Sequence, residues 1–183
     1  LTRQLYFEES AKTSIDLVIF LNGFPIVVIE LKNKFTGQNI ENGKEQFKLD
    51  RSYRSKLSEF NTRTLIYFAV DNDEVSMTTE LKGEDTFFLP FNKGFEQGAG
   101  NPIVDGKFRT YYLWEEILLQ DSLLDIFRNF YFIQEDEKDP NKKIAIFPRY
   151  HQLDVVKKVE QKVKEEKQGK KYLIQHSAGS GKT

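Results

Sequence analysis

The chain has 183 residues, 39% hydrophobic, 14% aromatic and 30% charged, room for one large domain or for a domain and part of another, with a composition that excludes disordered and collagen-like proteins. No apolar run approaches the roughly 20 residues of a membrane-spanning helix, and the lack of cysteine excludes disulfide scaffolds, thiolate zinc sites and cysteine nucleophiles and suits a reducing, cytoplasmic compartment. The net charge of −1 conceals alternating blocks, basic over 31–63, acidic over 71–85 and basic again over 142–171, a pattern compatible with nucleic acid held at selected surfaces and equally with solvated helix faces.

In chain order, Gln4 to Glu8 is a plausible strand. Ser14 to Leu21 and Phe24 to Lys32 are β-branched apolar runs separated by Asn22-Gly23, a strong hairpin signal. Gly43 to Ser58 is polar with spaced apolar residues and suits a helix, and Thr64 to Val70 returns to strand character. This order predicts an α/β fold with the last strand docked beside the hairpin. Leu89 to Gly106 is too rich in glycine and proline for regular structure. Tyr112 to Phe132 reads as one or two amphipathic helices with Asp121-Ser122 between them, and the acidic, proline-containing stretch Gln134 to Lys143 as a linker. That places a first domain at 1–138 and a second unit at 139–183, with a helix from about Gln152 to Lys167 and a short strand at Tyr172 to Gln175. Nothing at Leu1 reads as a secretory leader, and a first residue other than methionine, with a motif running to Thr183, is what a fragment of a larger protein would show.

Three charged residues, Asp16, Glu30 and Lys32, sit in the apolar hairpin, where charge is costly unless used. Glu30 and Lys32 share a strand face, and Asp16 lies at nearly the same height on the neighbouring strand. Two converging carboxylates, with the Leu31 carbonyl, make an oxygen donor set for Mg²⁺, and Lys32 is placed to orient a water and steady charge on a phosphoryl group. A strict two-residue turn at Asn22-Gly23 would oppose Asp16 to Ile29 and send Glu30 to the other face. The reading therefore requires a bulge or an odd-length connection in this hairpin. Glu8 or Glu9 could add a carboxylate, although surface charge explains both.

At the other end, Gly179, Ser180, Gly181, Lys182 and Thr183 follow apolar Tyr172-Leu173-Ile174. They match the end of a P-loop, in which backbone N–H groups cradle phosphates, lysine reaches the β- and γ-phosphates and threonine binds Mg²⁺. His176 stands where the full motif has glycine.

The Asp16 and Glu30-x-Lys32 pattern resembles the PD-(D/E)xK nuclease core. Arg149-Tyr150-His151-Gln152 resembles the adenine-reading motif of superfamily-two helicases, with Gln152 as the reader. Together with DLVIFLNGFPIVVIELKN, FAVDNDEVSMTT, FLPFNKG, GAGNP, FPRYHQLDVV and YLIQHSAGSGKT, these are similar to the R (HsdR) subunit of type I restriction enzymes over almost the whole chain. The resemblance implies a restriction-endonuclease-like mixed sheet flanked by helices, followed by the first elements of a RecA-like P-loop domain. It also implies Mg²⁺-dependent cleavage of double-stranded DNA coupled to ATP-driven translocation, in a complex with methyltransferase (M) and specificity (S) subunits. Asp16 and Glu30 would be metal ligands, Lys32 the catalytic lysine, and Gln46 the glutamine of a Q-x-x-x-Y element whose tyrosine is replaced by Asp50. Gln152 and residues 179–183 would hold ATP in the full-length protein. An inert DNA-binding or docking module and a repair nuclease-helicase are the competing classes.

Overall fold

The computed structural model describes residues 1–7, 14–96, 98–136, 139–140, 142–166 and 169–175. Eight strands and three α-helices are assigned among them: β1 Thr2–Leu5, β2 Ile15–Leu21, β3 Phe24–Leu31, α1 Ile40–Leu49, β4 Ile66–Val70, β5 Val75–Thr78, β6 Leu89–Pro90, α2 Gln120–Asn129, β7 Phe132–Glu135, β8 Lys143–Ile146 and α3 Tyr150–Glu166. Strands β1 to β6 form one mixed sheet in sequence order, parallel only between β3 and β4. A crossover carrying α1 makes that parallel pair possible, since parallel neighbours cannot be joined by a tight turn. Among the described residues no helix is long and apolar enough to cross a membrane.

Asn22 and Gly23 both have positive φ, 49° and 84°, the primed turn whose twist suits a two-residue hairpin. The register runs Leu21 opposite Phe24 and Phe20 opposite Pro25, then shifts so that Ile19 lies opposite Val27 and Leu17 opposite Ile29. Ile26 is the extra residue of the expected bulge. Its insertion puts Ile26 and Val27 on one side of the sheet, where both join the same core.

Alternation along β3 and β4 divides the core in two. Val27, Ile29, Ile66, Phe68 and Val70 face α2 and the chain beyond β6, whereas Val28, Tyr67 and Ala69 face α1, with Ile40 and Phe47 packed on them. Gly43 lets α1 come close, because a Cβ there would lie 3.3 Å from the Ala69 Cβ and 3.4 Å from the Lys32 Cγ. Helix α1 starts earlier than the sequence reading has it, at a capping box in which Asn39 and Asn42 satisfy each other's backbone N–H groups. It ends at Leu49, and the chain then turns Arg51 into the interior.

Two other expectations are corrected. The break in Tyr112 to Phe132 falls at Leu118-Leu119, after one wide turn (Leu113–Ile117) closed by the Leu118 N–H donating to the Leu113 carbonyl at 2.9 Å. Apolar residues Leu113 and Ile117 are drawn fully into the core there, and packing rather than the polar Asp121-Ser122 pair sets the break. Tyr172 to Gln175 forms no strand: it is exposed, and no described strand offers its backbone a ladder. Among the described residues no P-loop domain is seen. Within the stretch read as a linker, Gln134 and Glu135 lie in β7 and Lys143 in β8, paired as an antiparallel hairpin. Beyond it Phe147, Tyr150 and Leu153 return to the core that holds Phe68 and Phe91.

The glycine-rich segment is fastened to the root of α3. Lys93 donates to Glu116 at 2.7 Å, Tyr150 donates to the other Glu116 oxygen at 3.1 Å, and the Lys93 Nζ lies 5.3, 5.5 and 5.3 Å from the ring centres of Tyr111, Tyr112 and Tyr150.

Candidate active site

The bulge decides the site. With Leu17 opposite Ile29, Asp16 falls opposite Glu30 and their side chains share the α1 face. Lys32 follows two residues on and projects to the same side. One oxygen of Asp16 accepts the Leu31 N–H at 2.8 Å, which holds that carboxylate against the end of β3. An extended residue sends its N–H and C=O to the same edge, so the Leu31 carbonyl leaves β3 toward Asp16. From α1, the Gln46 Oε1 accepts a hydrogen bond from the Lys32 Nζ. The structure thus brings Asp16, Glu30, Leu31, Lys32 and Gln46 together.

Arg51, which in the sequence reads as one more basic residue after α1, belongs to the same group. Its Nε donates to the Glu30 Oε1 at 2.6 Å, its Nη2 reaches the same oxygen, and Nη2 also donates to the Ser14 carbonyl at 2.7 Å. Glu30 is 0% exposed and Arg51 3%. Burial pushes the Glu30 carboxyl up to about 7; Arg51 works against that rise, and the charge of neighbouring Asp16 adds to it. Desolvation wins over the ion pair. The Glu30 Oε2 remains buried with no hydrogen-bond partner, and a buried acceptor without a donor is costly.

This donor set fits a hard divalent cation: two carboxylates, one of them with an unpartnered buried oxygen, and a backbone carbonyl on the same edge. Among the described residues no group of three or more His, Cys, Asp or Glu side chains forms, so water would complete the shell, as is usual for Mg²⁺. Asp50, where the Q-x-x-x-Y element would have tyrosine, caps the C-terminus of α1 through its own N–H to the Gln46 carbonyl at 3.0 Å and is exposed. Gln152 lies in the first turn of α3, where its Oε1 accepts the Arg149 N–H at 2.8 Å. Glu8, Glu9, His176 and the motif Gly179, Ser180, Gly181, Lys182 and Thr183 lie outside the described residues.

The family model for the type I restriction enzyme R protein N terminus matches residues 1–86, the segment that carries all five of these residues and Arg51. Residues 1–86 are thus similar to the N-terminal part of type I restriction R proteins. Two Methanocaldococcus jannaschii proteins, named as the type I restriction enzyme MjaVIIIP and MjaVIIP endonuclease subunits, are 26% and 29% identical to the chain over 98% and 92% of its length. The chain spans 17% and 15% of those two proteins. No solved structure matches it significantly. The matched segment comprises β1 to β5 and α1, and β6 with the chain after it supplies the other face of the core.

Proposed function

We propose that this chain is the nuclease part of a type I restriction R subunit, cleaving double-stranded DNA with Mg²⁺ in an assembly with M and S subunits and driven by ATP-dependent translocation in the full-length protein. The observation that carries the reading is the pairing of Asp16 with Glu30 on one face, with the buried Glu30 Oε2 lacking a partner. Asp16, Glu30 and the Leu31 carbonyl would hold the metal. Bound Mg²⁺ would acidify a coordinated water and offset negative charge on the scissile phosphate. Lys32, held at its amine by Gln46, orients the water for in-line attack and sits beside the charge that builds on the phosphoryl oxygens. The water oxygen bonds to phosphorus, the P–O bond to one sugar breaks, and the departing oxygen takes up a proton. The ATP role rests on Gln152 and residues 179–183 as sequence motifs.

The test compares wild type with Lys32→Ala in the full-length protein assembled with M and S subunits. Mg²⁺-dependent cleavage should vanish while DNA-stimulated ATP hydrolysis persists. A Lys32→Ala protein that still cleaves removes the nuclease from this hairpin and favours the inert docking class.

A further inference from the structure

A carboxylate buried beside a candidate metal position can bind a cation with one oxygen or with both, and the choice separates ions. Small Mg²⁺ and Mn²⁺ take single oxygens in octahedral geometry, whereas Ca²⁺ accepts two oxygens of one carboxylate in a larger shell. We propose that Arg51 is a positioning and ion-selecting residue: by occupying the Glu30 Oε1 with Nε and Nη2 while anchoring Nη2 on the Ser14 carbonyl, it leaves Oε2 as the single oxygen Glu30 can give a divalent cation.

The geometry is specific to a guanidinium. Two donors converge on one oxygen, and one of them also binds a carbonyl just before β2, so Arg51 ties the strand bearing Asp16 to the strand bearing Glu30. A lysine would supply charge from a single point and could not make this planar fork. The buried Nη1 of Arg51 has no hydrogen-bond partner, while Nε and Nη2 are engaged by Glu30 and the Ser14 carbonyl. A residue present only to neutralise Glu30 would need no such bridge.

The inference rests on the metal-site reading, and the experiment separates the two. Mn²⁺ binding to the nucleotide-free full-length protein is titrated by electron paramagnetic resonance, with Ca²⁺ as competitor, for wild type, Glu30→Gln, Arg51→Lys and Arg51→Gln; thermal melting of each variant reports the fold. Glu30→Gln should abolish Mn²⁺ binding at this site. Arg51→Lys, folded, should weaken Mn²⁺ roughly 10–100-fold, the usual cost of losing a partner behind a ligand, and should shift preference toward Ca²⁺ as Oε1 becomes free. Arg51→Gln, which keeps one donor near Glu30, should shift preference the same way. Wild-type Mn²⁺ affinity and Mn²⁺-over-Ca²⁺ preference in the Arg51 variants overturns the inference and leaves the metal site standing. Undiminished Mn²⁺ binding in Glu30→Gln overturns the metal site itself.

Discussion

Glu30 sets two opposing effects against each other, and its pH response shows which prevails. Burial raises its carboxyl from 4.5 to about 7 despite Arg51 at hydrogen-bonding distance. Between those values the folded chain holds a proton that the unfolded chain has released, so stability falls as pH rises through the window and levels off above about 7. At about 1.4 kcal/mol per pH unit, ionising Glu30 in the folded chain costs about 3 kcal/mol. The comparison that isolates this is urea unfolding of wild type and Glu30→Gln in chelator from pH 4.5 to 8, followed by the fluorescence of Trp114, the chain's one tryptophan. Glutamine does not titrate, so wild-type stability minus variant stability should decline by about 3 kcal/mol over that range. A difference that rises with pH would mean that the Arg51 pairing holds the carboxyl below its ordinary value, and the desolvation argument would be refuted.

Two further substitutions probe how the site is mounted. Gly43→Val should push α1 away from Ala69 and Lys32, whose atoms lie at contact distance from a Cβ there; overpacking of this kind costs about 1–3 kcal/mol, read by thermal melting, and cleavage by the full-length assembly should fall as Lys32 moves. Phe147→Ala, which removes a ring packed on Phe68, Phe91 and Phe127, should cost about 3–5 kcal/mol and speed amide exchange in β4; exchange that quickens only after residue 139 would show that the later segment is not part of the sheet's core.

The hairpin was legible because its signals are local: Asn22-Gly23 states the turn, and the β-branched runs state the strands. Even the bulge could be inferred, since only an extra residue puts Asp16 and Glu30 on one face. Arg51 was not legible. A basic residue just after a helix ordinarily points to water, and its partners, Ser14 and Glu30, are distant in sequence; the burial that gives it meaning is a tertiary fact. The stretch 134–143 is ambiguous for a related reason: polar, acidic and proline-bearing residues suit a hairpin connection as well as a linker, and the pairing of β7 with β8 and the packing of Phe147, Tyr150 and Leu153 on the core are tertiary facts. Gln46 was found by its likeness to a motif, whereas its physical role, holding the Lys32 amine, depends on the approach of α1 that Gly43 permits.

The rooting of α3 gives the molecule a lever. Tyr150 and Leu153 are embedded in the core and Tyr150 is clasped by the Lys93 and Glu116 cluster, while most of the following 13 residues of the helix stand out from it. A helix of 17 residues reaches about 25 Å, so a tilt of about 10° at its root swings the far end by about 4 Å. Read in reverse, a modest displacement of that far end delivers torque to Phe91, on which the Tyr150 ring packs, and through Phe91 to Phe147 and Phe68; Phe68 is flanked in β4 by Tyr67 and Ala69, on which α1 is packed.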